Sequence, residues 1–457
     1  MGVGVSNWAL AKAVASAGGL GVVSGTAIGT LLIRRLQSGD PGGDVRRALQ
    51  AFPCRELAGK AVESYFVEGG LDKTKPYALA PMPTLTPNAK RETLEMLGAF
   101  VEVWLAKEGH GGKVGLNLLE KIQLSTLAAL YGAMLAGVDA VLMGAGIPRH
   151  IPGVLDALAA GKPAELRVDI TGGPAQTITF DPSELWDARS HIPARPYFIG
   201  IVSAVAVAMT LARKANGRVD GFIIEGPAAG GHNAPPRGYK AGLGNDPVYS
   251  ERDNVDLNAI KALGIPFWLA GSSATPEALQ AAQQAGAVGV QIGTAFAFCD
   301  ESGLTDEWKQ KVLQACREGT ISVRTDGQAS PTGMPFKVVD VDGSLSDPAI
   351  RDGRTRRCDL GYLREPYYDE NGKVGYRCPA APVDGFIAKG GSKEETEGKL
   401  CLCNSLLGSI GLGQKLSDGS SEPVLITAGE SLSSVLKFIP PGKNTYSAAD
   451  VLAHMMA

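Results

Sequence analysis

The chain has 457 residues, 44% of them hydrophobic and 20% charged, with a net charge of -3. That composition describes a globular protein with a large core, and the near balance of charge gives no reason to expect nucleic acid or an anionic membrane as partner. Seven cysteines without a regular short-range framework argue against a secreted disulfide scaffold, so a cytoplasmic location is expected, and no apolar run is long enough to indicate a membrane span.

In chain order, a short apolar stub from Met1 to Val5 precedes a helical stripe of Trp8, Leu10, Ala11, Val14 and Ala15, with Ser6 as the expected N-cap. Gly18-Gly19 closes that helix, and Leu20-Gly21-Val22-Val23 reads as a strand. Residues 26–108 read mostly as helix, most clearly over 91–107, with a proline-rich connection around Thr84 to Pro87. A buried strand over 114–119 is followed by a helix over 123–136, a strand over 140–146 and a helix over 151–160. Between 164 and 185 the pattern alternates apolar and polar, which predicts an inserted hairpin. The repeat resumes with strands over 197–203, 221–226, 266–271 and 287–293 and with helices over 204–215 and 276–285.

Counting the stub, eight short apolar strands alternate with helices, the pattern of an α/β chain folded as a (β/α)8 TIM barrel over residues 1–320. A doubly wound open sheet competes, but the Gly-x-Gly-x-x-Gly turn expected after its first strand is missing. Beyond about residue 320 the repeat stops, and 321–457 reads as a C-terminal extension or small second domain.

The loops after the strands carry the candidate chemistry. Gly271-Ser272-Ser273 and Gly293-Thr294 follow the last two strands, where backbone N–H groups and hydroxyls can cradle a phosphate. Either turn alone would serve equally well as a helix cap. Asn117 ends its strand with a side chain able to hydrogen-bond a heterocycle, and Lys121 lies one turn on, either near that ring or simply solvated. Ser203, also at a strand end, is balanced between ligand and cap. Glu225-Gly226-Pro227-Ala228-Ala229-Gly230-Gly231-His232 ends an apolar strand in small residues, so the backbone can approach a flat ligand while His232 gives or takes a proton. Glu225 has three expected roles: orienting His232, contacting the cofactor, or pairing with a base such as Arg237. His110, His150, His191 and His454 fall in no such motif. Cys358, Cys378, Cys401 and Cys403 could bind zinc or an iron–sulfur cluster, but only Cys401-x-Cys403 is locally paired, and buried thiols are the alternative.

Three stretches, Ala17-Gly18-Gly19-Leu20-Gly21-Val22, Ala229-Gly230-Gly231-His232 and Gly289-Val290-Gln291-Ile292-Gly293-Thr294-Ala295-Phe296, together resemble the nitronate monooxygenases, formerly 2-nitropropane dioxygenases, and the related flavin-dependent enoyl-acyl-carrier-protein reductases. The resemblance implies a TIM barrel holding FMN, with its phosphate on Gly271, Ser272, Ser273, Gly293 and Thr294. It also implies ring contacts from Gly2, Val3 and Asn117 beside Gly230 and Gly231, and a catalytic His232. The implied reaction oxidises an alkyl nitronate with O2 to a carbonyl compound and nitrite; the reductases instead take hydride from NAD(P)H to an enoyl thioester. A non-redox barrel binding a phosphorylated ligand is the alternative from another class. The sequence departs from the resemblance at Ala228, at Asn233-Ala234 and in the long extension after residue 330. The family also carries an apolar strand and a Gly-Gly pair before the methionine matching Met1, so the start at Met1 could be truncated or misassigned.

Overall fold

The computed structural model describes residues 2–72, 74–239, 246–416 and 418–457. Its first nine strands, in chain order, are β1 (Leu20–Ser24), β2 (Lys113–Leu119), β3 (Ala140–Gly144), β4 (Ala164–Val168), β5 (Gln176–Phe180), β6 (Tyr197–Val202), β7 (Gly221–Glu225), β8 (Phe267–Ala270) and β9 (Gly289–Gln291). β4 and β5 pair only with each other, antiparallel. The other seven form one sheet, all parallel, in the order β1-β2-β3-β6-β7-β8-β9. Spatial order follows chain order, so each crossover adds the next strand at the same edge and the twisted sheet curls one way, as a barrel wall does.

The strands are mostly apolar because both faces are largely covered. Ala140, Leu142, Ile199, Ile223 and Ala270 point inward and form a small interior cluster with Val22, Ile201 and Trp268 packed against it. Their neighbours Val141, Met143 and Phe198 point outward into a larger core shared with the helices Ile28–Gln37, Ala89–Lys107 and Thr126–Leu135. This is the period-two alternation of a strand buried on both sides.

Two sequence expectations change at the N-terminus. The stub is not the eighth strand: residues 3–5 form a turn, in which the Val5 N–H donates to the Gly2 carbonyl at 3.2 Å. The Val5 carbonyl instead accepts from the Gly303 N–H at 2.8 Å. Among the described residues the sheet therefore has β1 and β9 as its edges. The helix Trp8–Ser16 is capped by Asn7, whose Oδ1 accepts from the Leu10 N–H, and not by Ser6, whose hydroxyl donates to the Val22 carbonyl. Ser6 thus ties the turn to β1.

The chain after residue 320 forms β10 (Ser322–Asp326) paired antiparallel with β11 (Phe336–Asp340), β12 (Glu365–Tyr368) paired with β13 (Val374–Arg377), and short helices that include Leu402–Ser409 and Ala448–Met455. Its apolar residues merge into the rest of the molecule. Ile426, Leu432, Phe438 and Val451 share a core with Leu10, Val14 and Phe298. Leu402 and Leu425 share another with Val3, Ala27 and Ile122. Buried Tyr362 reaches across to Glu95 and Thr30, each at 3.0 Å. Among the described residues no helix is long and apolar enough to cross a membrane.

Candidate active site

A cavity of about 430 Å3 lies at the C-terminal ends of the strands. Gly271, Ser272 and Ser273 after β8 and Gly293 and Thr294 after β9 form one wall. Gly2 and Val3 line it from the N-terminal turn, Asn117 from β2, and Gly230, Gly231 and His232 from the loop after β7. Lys121 and Ser203 are not among the lining residues.

The turn after β8 is sharp, with left-handed φ of 105° at Gly271 and 52° at Ser272, and both residues line the cavity. Thr294 Oγ1 accepts from the Gly429 N–H at 2.8 Å, which leaves its proton to donate to a ligand. Two amides face the same space. Asn117 is buried, and Gln291 Oε1 is buried with no hydrogen-bond partner among the described residues. An acceptor left unpaired in a wall costs about 1–3 kcal/mol unless a ligand donates to it. Backbone turns at Gly271 and Gly293, the unpaired Gln291 amide oxygen and the buried Asn117 amide in one cavity fit a phosphorylated flat heterocycle such as a flavin nucleotide.

The loop after β7 is held by the chain beyond residue 320. Lys337 N–H donates to the Gly231 carbonyl and Asn233 N–H to the Pro335 carbonyl, each at 2.9 Å, so His232 is laid antiparallel against Phe336. The two rings meet edge to face at 4.9 Å. His232 Nε2 lies 2.7 Å from Ser330 Oγ. Burial pushes the imidazole down to about 4, so the ring is neutral in neutral solution. Glu225 ends β7 facing the same cavity, and burial raises its carboxyl to about 7. Its expected pairing with Arg237 is absent among the ion pairs of the described residues; the Arg237 N–H donates to Asp253 instead.

Sequence reasoning missed Gln291, Ser330, Phe336 and the segment Thr427 to Gly429. Thr427 Oγ1 accepts from the Gly231 N–H at 3.0 Å and donates to the Lys337 carbonyl at 2.7 Å. A Cβ placed on Gly230 would stand 2.8 Å from the Ala428 carbonyl carbon and the Gly429 nitrogen. The available signal was the run of small residues from Ala228 to Gly231, which implies a backbone packed directly on it.

The four late cysteines do converge. Cys358, Cys378, Cys401 and Cys403 line a second, much smaller cavity, and Cys403 lines the large one as well. All four are unpaired thiols, and among the described residues no group of three His, Cys, Asp or Glu side chains is arranged to hold a metal ion. Of the remaining histidines, His110 closes its own helix end, with Nε2 bonded to the Ala106 carbonyl and Nδ1 accepting from the Gly112 N–H.

A one-way curl of parallel strands, with glycine turns after its last two members and a histidine beside the cavity at their ends, defines an α/β protein of the barrel class. Residues 187–332 match the nitronate monooxygenase family model. A probable nitronate monooxygenase of Bacillus subtilis is 33% identical over 120 residues, which are 26% of this chain and 31% of that protein. The (3aS,4S,5R,7aS)-5-hydroxy-7a-methyl-1-oxo-octahydro-1H-indene-4-carboxyl-CoA dehydrogenase of Mycobacterium tuberculosis is 30% identical over 140 residues, 30% of this chain and 35% of that one. The chain thus spans about a third of the length of the curated relatives it matches. Among solved structures, FabK from Thermotoga maritima is similar with a TM-score of 0.47 at 14% identity, over 99% of this chain and 88% of that one. The nitroalkane oxidase of Streptomyces ansochromogenes is similar with a TM-score of 0.42 at 16% identity, over 100% and 92%.

Proposed function

We propose that this protein is an FMN-dependent oxidoreductase that oxidises alkyl nitronates with O2 to carbonyl compounds and nitrite. The reading rests on one observation above all: a neutral, half-buried His232 is delivered by Gly230-Gly231 into the same cavity as the turns at Gly271 to Ser273 and Gly293-Thr294. Flavin, when bound, supplies the redox chemistry between nitronate and O2. The turns hold its phosphate, Asn117 and Gln291 hydrogen-bond the ring, and the small residues 228–231 let the ring lie close to the backbone. His232, uncharged, donates a hydrogen bond to the anionic oxygen of a nitronate or moves a proton at that atom.

A second reading, an NAD(P)H-dependent enoyl-thioester reductase, draws on the apolar residues Phe336, Leu402, Leu406 and Leu425 in the cavity wall and on a matched relative named for a carboxyl-CoA substrate. Anaerobic mixing separates the two. Bleaching of the flavin by a nitronate and not by NADPH is the expected result; bleaching by NADPH alone would move the assignment to the reductase. Protein that carries no flavin after gentle purification would remove both. His232→Ala is expected to keep its flavin absorbance and lose turnover roughly 100-fold, the usual scale of one acid–base group.

A further inference from the structure

We infer that Ser330 is a positioning residue which fixes the tautomer of His232, so that Nδ1–H is the hydrogen-bond donor this ring offers to a ligand in the cavity. Three observations carry this. Ser330 is wholly buried, and its Oγ stands 2.7 Å from His232 Nε2. The same Oγ stands 2.8 Å from Thr332 Oγ1 and accepts from the Thr332 N–H at 3.2 Å. Thr332 Oγ1 in turn accepts from the Met334 N–H at 3.3 Å. The segment itself is anchored at both sides, by the Ala329 N–H on Asp326 and by Lys399 Nζ on the Ser330 carbonyl.

The two possible directions of the relay differ in where the unpaired proton lies. If His232 donated Nε2–H to Ser330, the serine proton would go to Thr332, and the threonine proton would have no acceptor among the described residues. In the opposite direction every hydroxyl proton is used: Thr332 donates to Ser330, Ser330 donates to Nε2, and the ring proton resides on Nδ1. Either direction leaves one proton without a protein partner, on half-buried Thr332 or on the cavity-facing Nδ1; the second pairs both hydroxyls, including that of wholly buried Ser330, and is the one we adopt. Nδ1 makes no hydrogen bond within the described protein, and His232 lines the cavity, so that proton is left for a ligand. The depressed basicity of the half-buried ring keeps it in the neutral form that this relay requires.

The role of the donor in turnover rests on the oxidoreductase reading; the tautomer does not, and the test separates them. The 457-residue chain, labelled with 15N at its five histidines, is read by NMR, with His232→Gln identifying the resonance of interest. The expected result is a protonated Nδ1 and an unprotonated, hydrogen-bonded Nε2 from about pH 6 to 8. In Ser330→Ala the ring is expected to sample both tautomers and nitronate turnover to fall roughly tenfold, with Ser330→Thr restoring both signals. A wild-type ring protonated at Nε2 overturns the inference, as does a Ser330→Ala protein whose tautomer is unchanged. If Ser330→Ala does not fold, the wild-type spectrum alone decides. A correct tautomer in a protein that ignores nitronates would leave Ser330 in place and remove the proposed substrate instead.

Discussion

At the scale of single residues, the cavity sets two ionisable groups against each other. Burial raises Glu225 to about 7 and lowers His232 to about 4. The raised carboxyl contributes stability that is fully present below about pH 4.5 and is lost as pH climbs through 7. The lowered imidazole contributes in the opposite sense: its share is complete above about pH 6.5 and disappears as pH falls through 4. In the wild-type protein the two trends overlap and partly cancel between about pH 4.5 and 6.5. Glu225→Gln removes one of them. Thermal melts of flavin-stripped protein at steps from pH 4.5 to 8 are expected to show the variant gaining on the wild type as pH rises; parallel curves would mean that Glu225 is not desolvated. The sequence pointed to both residues, since each ends or follows an apolar strand. It did not disclose the partner of His232, because Ser330 lies 98 residues further on and no local pattern links a loop histidine to a distant serine.

At the scale of elements, the strands were legible and their edges less so. Short apolar runs bounded by glycine identify β1, β2, β3, β6, β7, β8 and β9, since a strand covered on both faces has no polar face to blur its signal. The N-terminal stub failed as an eighth strand because its few residues spend their hydrogen bonds on a turn and on Gly303. Two glycines in the loops after the strands separate the demands of packing from those of the ligand. On Gly230 a methyl would press against the Ala428–Gly429 backbone at 2.8 Å, so Gly230→Ala is expected to lose about 1–3 kcal/mol of stability in denaturant melts. A methyl on Gly293 meets nothing within 4 Å, at an ordinary φ of -115°, but it projects where the phosphate is expected. Gly293→Ala is therefore expected to melt like the wild type and release its flavin more readily. The reverse pattern, a stable Gly230→Ala beside an unstable Gly293→Ala, would refute this division.

At the scale of the whole molecule, composition and repeat length suggested a barrel over 1–320 followed by an extension, and they contained no information on how closely the two are joined. Long-range contacts decide that, and these are numerous around the loop after β7. β11 runs beside His232, Thr427 holds the Gly231 N–H, Gly429 holds Thr294, and buried Lys337 pairs with Glu430 under the loop while also donating to Thr325. Further away, Ile426, Phe438 and Val451 fill a core that begins with Leu10 and Val14. A chain ending at residue 320 would expose that apolar surface and leave the loop at Gly230 to His232 without most of its hydrogen-bond partners. Large exposed apolar surface favours association, and a loop without partners cannot hold a ligand-ready geometry. Residues 1–320 expressed alone are accordingly expected to aggregate or melt well below the full chain and to carry no stoichiometric flavin, as judged by calorimetry and by the ratio of visible to ultraviolet absorbance. A soluble, yellow, cooperatively melting fragment would mean that the barrel builds its site by itself, and that the contacts from Ser330, Phe336 and Thr427 decorate a loop already fixed by β7 and its neighbours.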